Sequence, residues 1–255
     1  MNRQILCQTF QFAATALLLV GCGSDSDSTT IDCFNPDVWR DGEHLSEWHY
    51  AGNGRLAENQ TQALRFEAGQ YYVGYSDLIK VSMITGNGEP ALYAEYTLLD
   101  TEDRRAEFVG YEEYMSGEVQ YSGEYSPPAY YLLHGVAVGE QEERVSFLVD
   151  RRHGDGGREQ HTEVRQVFSN QGIVTLELPG GEELQACHFR LDEQRIHLLD
   201  AGENESGVGY TELWVDTATG LTVKRVREFD YQGPRGALQT EELLISYHID
   251  GVKVF

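Results

Sequence analysis

From Trp39 to its end the chain alternates short apolar and polar stretches, and nowhere does it sustain the 3.6-residue recurrence of an amphipathic helix. A period of two, broken by Gly, Asn, Asp and Pro, predicts a mainly β domain: a large curved antiparallel sheet, a β-sandwich or a half-barrel. Residues 145–149 and 162–168 flank His153-Gly154-Asp155-Gly156-Gly157, whose glycines admit the positive φ of a tight reversal, so the two segments read as a hairpin. A second hairpin joins 173–178 to 184–191 through Pro179-Gly180-Gly181, and the alternation puts Cys187, Phe189 and Leu191 together on one face, directed inward. A third joins 212–216 to 221–226, with Gly220 as its left-handed residue. Two last strands, 241–249 and 252–255, meet at the turn Asp250-Gly251. Pro127-Pro128 is the hard break near the middle, yet strands of similar spacing continue on both sides, so residues 33–255 are expected to form one domain made of two sheet halves.

The chain begins differently. Arg3 precedes an apolar run through residues 13–20, which is too short for a membrane-spanning helix of about 20 apolar residues. That layout predicts a signal helix over 1–21, removed on maturation. Leu19-Val20-Gly21-Cys22 resembles the lipobox of bacterial lipoproteins, and the resemblance implies that Cys22 is lipidated and becomes the mature N-terminus. Gly23, in place of the Asp that retains such proteins in the inner membrane, implies delivery to the outer membrane, facing the periplasm. Residues 22–32 are too polar to pack and read as a flexible tether.

Composition narrows the partners. A formal charge of −23 repels phosphate backbones, which argues against nucleic acid as a partner. The same acidic excess suits either a saline habitat or an ordinary secreted protein. With Cys7 lost in the signal and Cys22 consumed by lipid, Cys33 and Cys187 remain. In an oxidising compartment the two are expected to pair, the alternative being two buried thiols.

The chemistry-bearing residues form no familiar catalytic pattern. The eight histidines give no HExxH helix, and no nucleophile elbow or phosphate-binding glycine loop occurs, so neither metal nor cofactor is expected. Glu112-Glu113, Glu142-Glu143 and Glu182-Glu183 are adjacent pairs that a strand sends to opposite faces. The biased feature is a run of tyrosines between Tyr71 and Tyr131. These side chains fill a sheet core or line a ligand groove, for which Tyr71, Tyr93, Tyr111 and Tyr130 are the candidates.

Three segments together carry a family resemblance. They are Cys33-Phe34-Asn35-Pro36, the stretch from Leu178-Pro179-Gly180-Gly181 to Leu184-Gln185-Ala186-Cys187, and Leu213-Trp214-Val215-Asp216 with Gly220-Leu221-Thr222-Val223. The second resembles a Pro-Ala-Gly-Thr-Phe-x-x-Cys motif of exported bacterial lipoproteins, with one extra residue in the turn, and the final hairpin is similar to one in the LolA/LolB-type lipoprotein carriers. The resemblance implies a membrane-anchored envelope protein acting as a non-enzymatic binding or interaction module. Carriage of lipid or lipoprotein is the alternative, and hydrolysis of envelope polymers a more distant one. A membrane reached through the N-terminal lipid, and a lipid or envelope protein, are its expected partners.

Overall fold

In the computed structural model the described residues are 33–255, apart from 53–54, 85–91, 155–156, 199–205 and 232–235. The chain divides into two units, Met1–Thr30 and Ile31–Phe255, and the strands of the described residues belong to the second. The expected signal peptide, Cys22 and the whole tether lie outside the described residues.

Thirteen strands follow one another in chain order: β1 (Gly42–Gly52), β2 (Arg55–Tyr72), β3 (Tyr75–Ile84), β4 (Tyr93–Asp100), β5 (Arg105–Met115), β6 (Glu118–Leu133) and β7 (Gln141–Arg152), then β8 (Glu159–Glu177), β9 (Glu183–Leu198), β10 (Ser206–Asp216), β11 (Thr222–Tyr231), β12 (Ala237–Ile249) and the short β13 (Val252–Lys253). Each pairs antiparallel with its neighbour, and β12 pairs back onto β1 from His44↔Ile249 to Gly52↔Thr240. The mainly β expectation holds, and the sheet closes completely: twelve strands form an up-and-down barrel in place of two sheet halves. Closure removes the free edges that an open sheet of this length would expose.

Alternation decides what faces inward. On β8, Thr162, Val164, Gln166 and Phe168 are buried while His161 and Arg165 are exposed. On β9, Cys187, Phe189 and Leu191 are buried in the core, as the period-two pattern predicts. The three hairpins and the Asp250-Gly251 turn are all present. The largest difference in boundaries is that 162–168 and 173–177 belong to a single long strand. Its ladder to β9 shifts register between Asn170 and Gly172, where Asn170 Oδ1 accepts the Gly172 N–H at 2.9 Å.

Pro127-Pro128 lies inside β6 and separates nothing. The β6–β7 ladder stops at Ser126↔Phe147, because two prolines in succession offer it no N–H. Beyond them the Tyr130 N–H donates to Gln166 Oε1 of β8 at 2.8 Å, and Arg144 Nη1 donates to the Pro128 carbonyl at 2.7 Å. Side chains thus complete the wall where the backbone ladder ends.

The N-terminal segment stoppers one end of the barrel. Asn35 caps a 3-10 turn, Pro36–Trp39: its side chain accepts from the Asp37 N–H at 3.0 Å, and proline occupies the first helical position. Cys33 is disulfide-bonded to Cys187 on the inner face of β9. Trp39 packs edge-on against Phe66 and Tyr131. Asn35 Nδ2 donates to the Thr219 carbonyl at 2.7 Å, and a Cβ on Gly220, whose φ is +75°, would collide with the Asn35 Cβ. Beneath the stopper His44 stacks on Phe66 at 3.9 Å. Its Nε2–H donates to the Arg40 carbonyl at 3.0 Å, and its Nδ1 accepts from the Tyr247 hydroxyl at 2.8 Å.

Candidate functional site: the barrel lumen

An eight-stranded barrel is filled by its own side chains, whereas wider ones leave space inside. Here the apolar stopper and the cluster of Phe168, Phe189, Leu213 and Val215 fill one end, and the middle remains hollow. Two lobes of about 350 and 410 Å³ share Tyr93, Glu95, Tyr131, Arg225 and Arg227 in their walls. Every barrel strand except β7 contributes to that lining. The first lobe has an apolar side, with Trp39, Trp48, Leu64, Phe66, Val81 and Met83, beside the polar Ser46, Gln62, Thr97 and Thr222. The second is a ring of aromatics, including Tyr111, Tyr125, Tyr210, Phe229 and Tyr231, closed by Leu191, Leu213 and Leu238.

The period-two pattern sorts the tyrosine run between two faces of the wall. Tyr93, Tyr111 and Tyr130 line the second lobe, joined by Tyr125 and Tyr131. Tyr93 stacks on Tyr111, whose hydroxyl donates to Asp150 at 2.5 Å. Gly123 lies against that ring, where a Cβ would strike it, so glycine gives Tyr111 its room. Tyr71 is not part of the groove: it is 71% exposed near the end of β2, where the chain leaves the wall. The neighbouring Tyr72 folds over the outside, stacks on Tyr96 at 4.1 Å and donates to the carbonyls of Tyr111 and Gly123. Tyr96 and Tyr114 both donate to Glu112 on that outer face.

Charged residues that the sequence did not single out also face the lumen. Arg225 donates to Glu242 and lies 5.8 Å from the centre of the Trp48 ring. Arg195 donates to Glu193 at 2.6 Å, and Glu193 also accepts from Gln166 at 2.9 Å. These are charge-assisted bonds that each satisfy both partners. Glu95 and Arg227 stand apart. Neither forms an ion pair with any described residue, although Glu95 on β4 and Arg227 on β11 line the same space.

Enclosure by the wall sets the protonation behaviour. Burial pushes the Glu95 carboxyl above the usual range, against the opposing pull of the Tyr93 hydroxyl and of Arg225 and Arg227. Burial and the neighbouring Glu95 raise the Tyr93 hydroxyl. Tyr125 is pushed up to about 12 by burial. Arg227 is lowered by burial and by the like charge of Arg225. Burial opposes the Arg195 charge too, but Glu193 outweighs it and holds the guanidinium above its ordinary value.

A signal for these residues exists in the sequence. Continuing the inward period of Cys187, Phe189 and Leu191 gives Glu193 and Arg195, and Val223 continues to Arg225, Arg227 and Phe229. Charges at core-facing positions of a strand mark a solvated interior. Among the described residues no three His, Cys, Asp or Glu side chains gather as a metal ion would require. No family model matches the chain, and neither the curated proteins nor the solved structures provide a match.

Proposed function

We propose that this chain is a cell-envelope lipoprotein, anchored through Cys22, whose barrel binds a small amphipathic molecule in its lumen without transforming it. The observation that carries this reading is the aromatic-lined space inside the barrel, whose lobes fall within the roughly 300–1,000 Å³ of small-molecule sites. An apolar body fits against Trp39, Leu64 and Met83, and converging polar groups fix its orientation. Between an interaction module and a carrier, the lumen favours the carrier. The Cys33–Cys187 disulfide supports an exported protein, since such bonds persist in oxidising compartments. Binding without chemistry is supported by Glu193 and Glu242, each tied to an arginine and so occupied.

The lumen is tested with the uncharged fluorophore N-phenyl-1-naphthylamine, added to the full chain carrying Cys22→Ser so that no acyl chain competes. Saturable enhancement at one probe per protein is expected, and fluorescence no brighter than with the urea-unfolded chain would refute the reading. The anchor is tested separately by growing cells with alkynyl palmitate. Label should appear on the wild-type chain and be absent from the C22S chain; equal labelling of the two would remove the lipoprotein assignment.

A further inference from the structure

The lumen holds one permanent charge that the wall leaves unmatched. Of its three arginines, Arg225 is bonded to Glu242 and Arg195 to Glu193, while Arg227 makes no hydrogen bond or ion pair to any described residue. Its guanidinium carries five N–H donors in a planar fork suited to an oxyanion. Its nitrogens open onto the lumen without a partner among the described residues, and an oxyanion seated there would replace water with charge-assisted hydrogen bonds. Glu95 is the carboxylate across the lumen, but it does not reach Arg227, and it already has Tyr93 as an interaction partner.

We infer that the lumenal ligand is a single-chain amphiphile with an acidic head, the head seated on Arg227 and the chain against the apolar side of the first lobe, lined by Trp39, Leu64 and Met83. This rests on the lumen-binding reading above. A monoanion suits the site better than a dianion, because Glu95, Glu193 and Glu242 stand around the same space. A positively charged head is disfavoured, since it would meet the uncompensated Arg227 charge, and Glu95, raised by burial, accepts a proton more readily than it pairs with a cation.

The experiment compares dodecanoate, 1-dodecanol and dodecylammonium, each titrated calorimetrically into the C22S chain below its critical micelle concentration. Dodecanoate should bind at least tenfold tighter than dodecanol, and dodecylammonium weakest. Arg227→Gln should erase the preference for dodecanoate while leaving dodecanol and N-phenyl-1-naphthylamine within about twofold of their original affinities. The variant breaks no side-chain hydrogen bond of Arg227 to a described residue, and its thermal unfolding is measured beside the parent's. If it does not fold, Arg227→Lys gives the same readout as a partial loss of preference. Equal binding of dodecanoate and dodecanol, or a preference for dodecylammonium, overturns the acid-head inference while bound N-phenyl-1-naphthylamine still supports the lumen. Failure of the probe and of all three amphiphiles overturns both.

Discussion

Two side chains inside the barrel respond to pH in opposite directions. His44 is buried, and desolvation lowers its pKa below 6.5, with the Arg40 carbonyl opposing only in part. The unfolded chain therefore takes up a proton first as pH falls, so His44 supports the fold fully above pH 6.5 and loses its contribution below it. Its hydrogen bonds state the same chemistry, because protonation would set a second N–H against the Tyr247 hydroxyl that now donates to Nδ1. The unfolding midpoint should drop as pH goes from 7 to 5, and His44→Gln should flatten that slope; an unchanged slope counts against the assignment. Glu95 behaves inversely. Its carboxyl is raised above 4.5, so the folded state holds the proton longer, and stability declines as pH rises from 4.5 through the folded pKa. Glu95→Gln should therefore raise the midpoint at pH 7.5 and have no such effect at pH 4, which differential scanning fluorimetry can read.

At the scale of elements, the strands and tight turns after residue 145 were legible because each rule acts over a few residues, period two for strands and glycine for positive φ, whereas β1 to β6 were read only as general alternation. What stayed hidden depends on partners distant in sequence. The stopper is an example, since Asn35-Pro36 announces a short turn, but only the bond from Cys33 to Cys187 and the contact of Asn35 with Thr219 place it in the barrel mouth. Pro127-Pro128 read as a break because local rules forbid a ladder there; Gln166 and Arg144, from two other strands, supply the missing partners. The tyrosine run was visible as composition, but its division between lumen and outer wall depended on the register of β2 and on how its end leaves the sheet. The disulfide closes a loop over a separation of 154 residues, and its loss through Cys33→Ser with Cys187→Ser should cost about 2–5 kcal/mol. Urea unfolding of the double variant measures this, and a midpoint equal to that of the parent would show that the stopper holds without its covalent link.

Across the whole molecule both faces of the wall are mixed: charged side chains share the lumen with aromatic rings, and Tyr72, Tyr96, Tyr114 and the exposed Phe147 share the outside with ion pairs. Glu43 pairs with Arg65, Glu163 with Arg165 and Arg190 with Asp192 on the outer wall. The outward excess of carboxylates in a chain of formal charge −23 keeps such barrels apart from one another. A chain ended after residue 236 lacks β12 and should show neither cooperative unfolding nor probe binding. Retention of both in circular dichroism and fluorescence would mean that closure is dispensable.

The pairing of β12 with β1 also fixes when the site can come into existence. Neighbouring strands meet in the order they are made, but the first and the twelfth meet only once nearly the whole polypeptide has emerged, a contact of long sequence separation that forms slowly. Until then Glu242 is not beside Arg225, and the hollow has no side between β11 and β1. On the reading proposed above, a ligand would find no closed lumen until β12 has paired with β1. On the same reading, a proteolytic clip that removes β12 would empty the lumen, so the integrity of that strand and the holding of a ligand would be a single event.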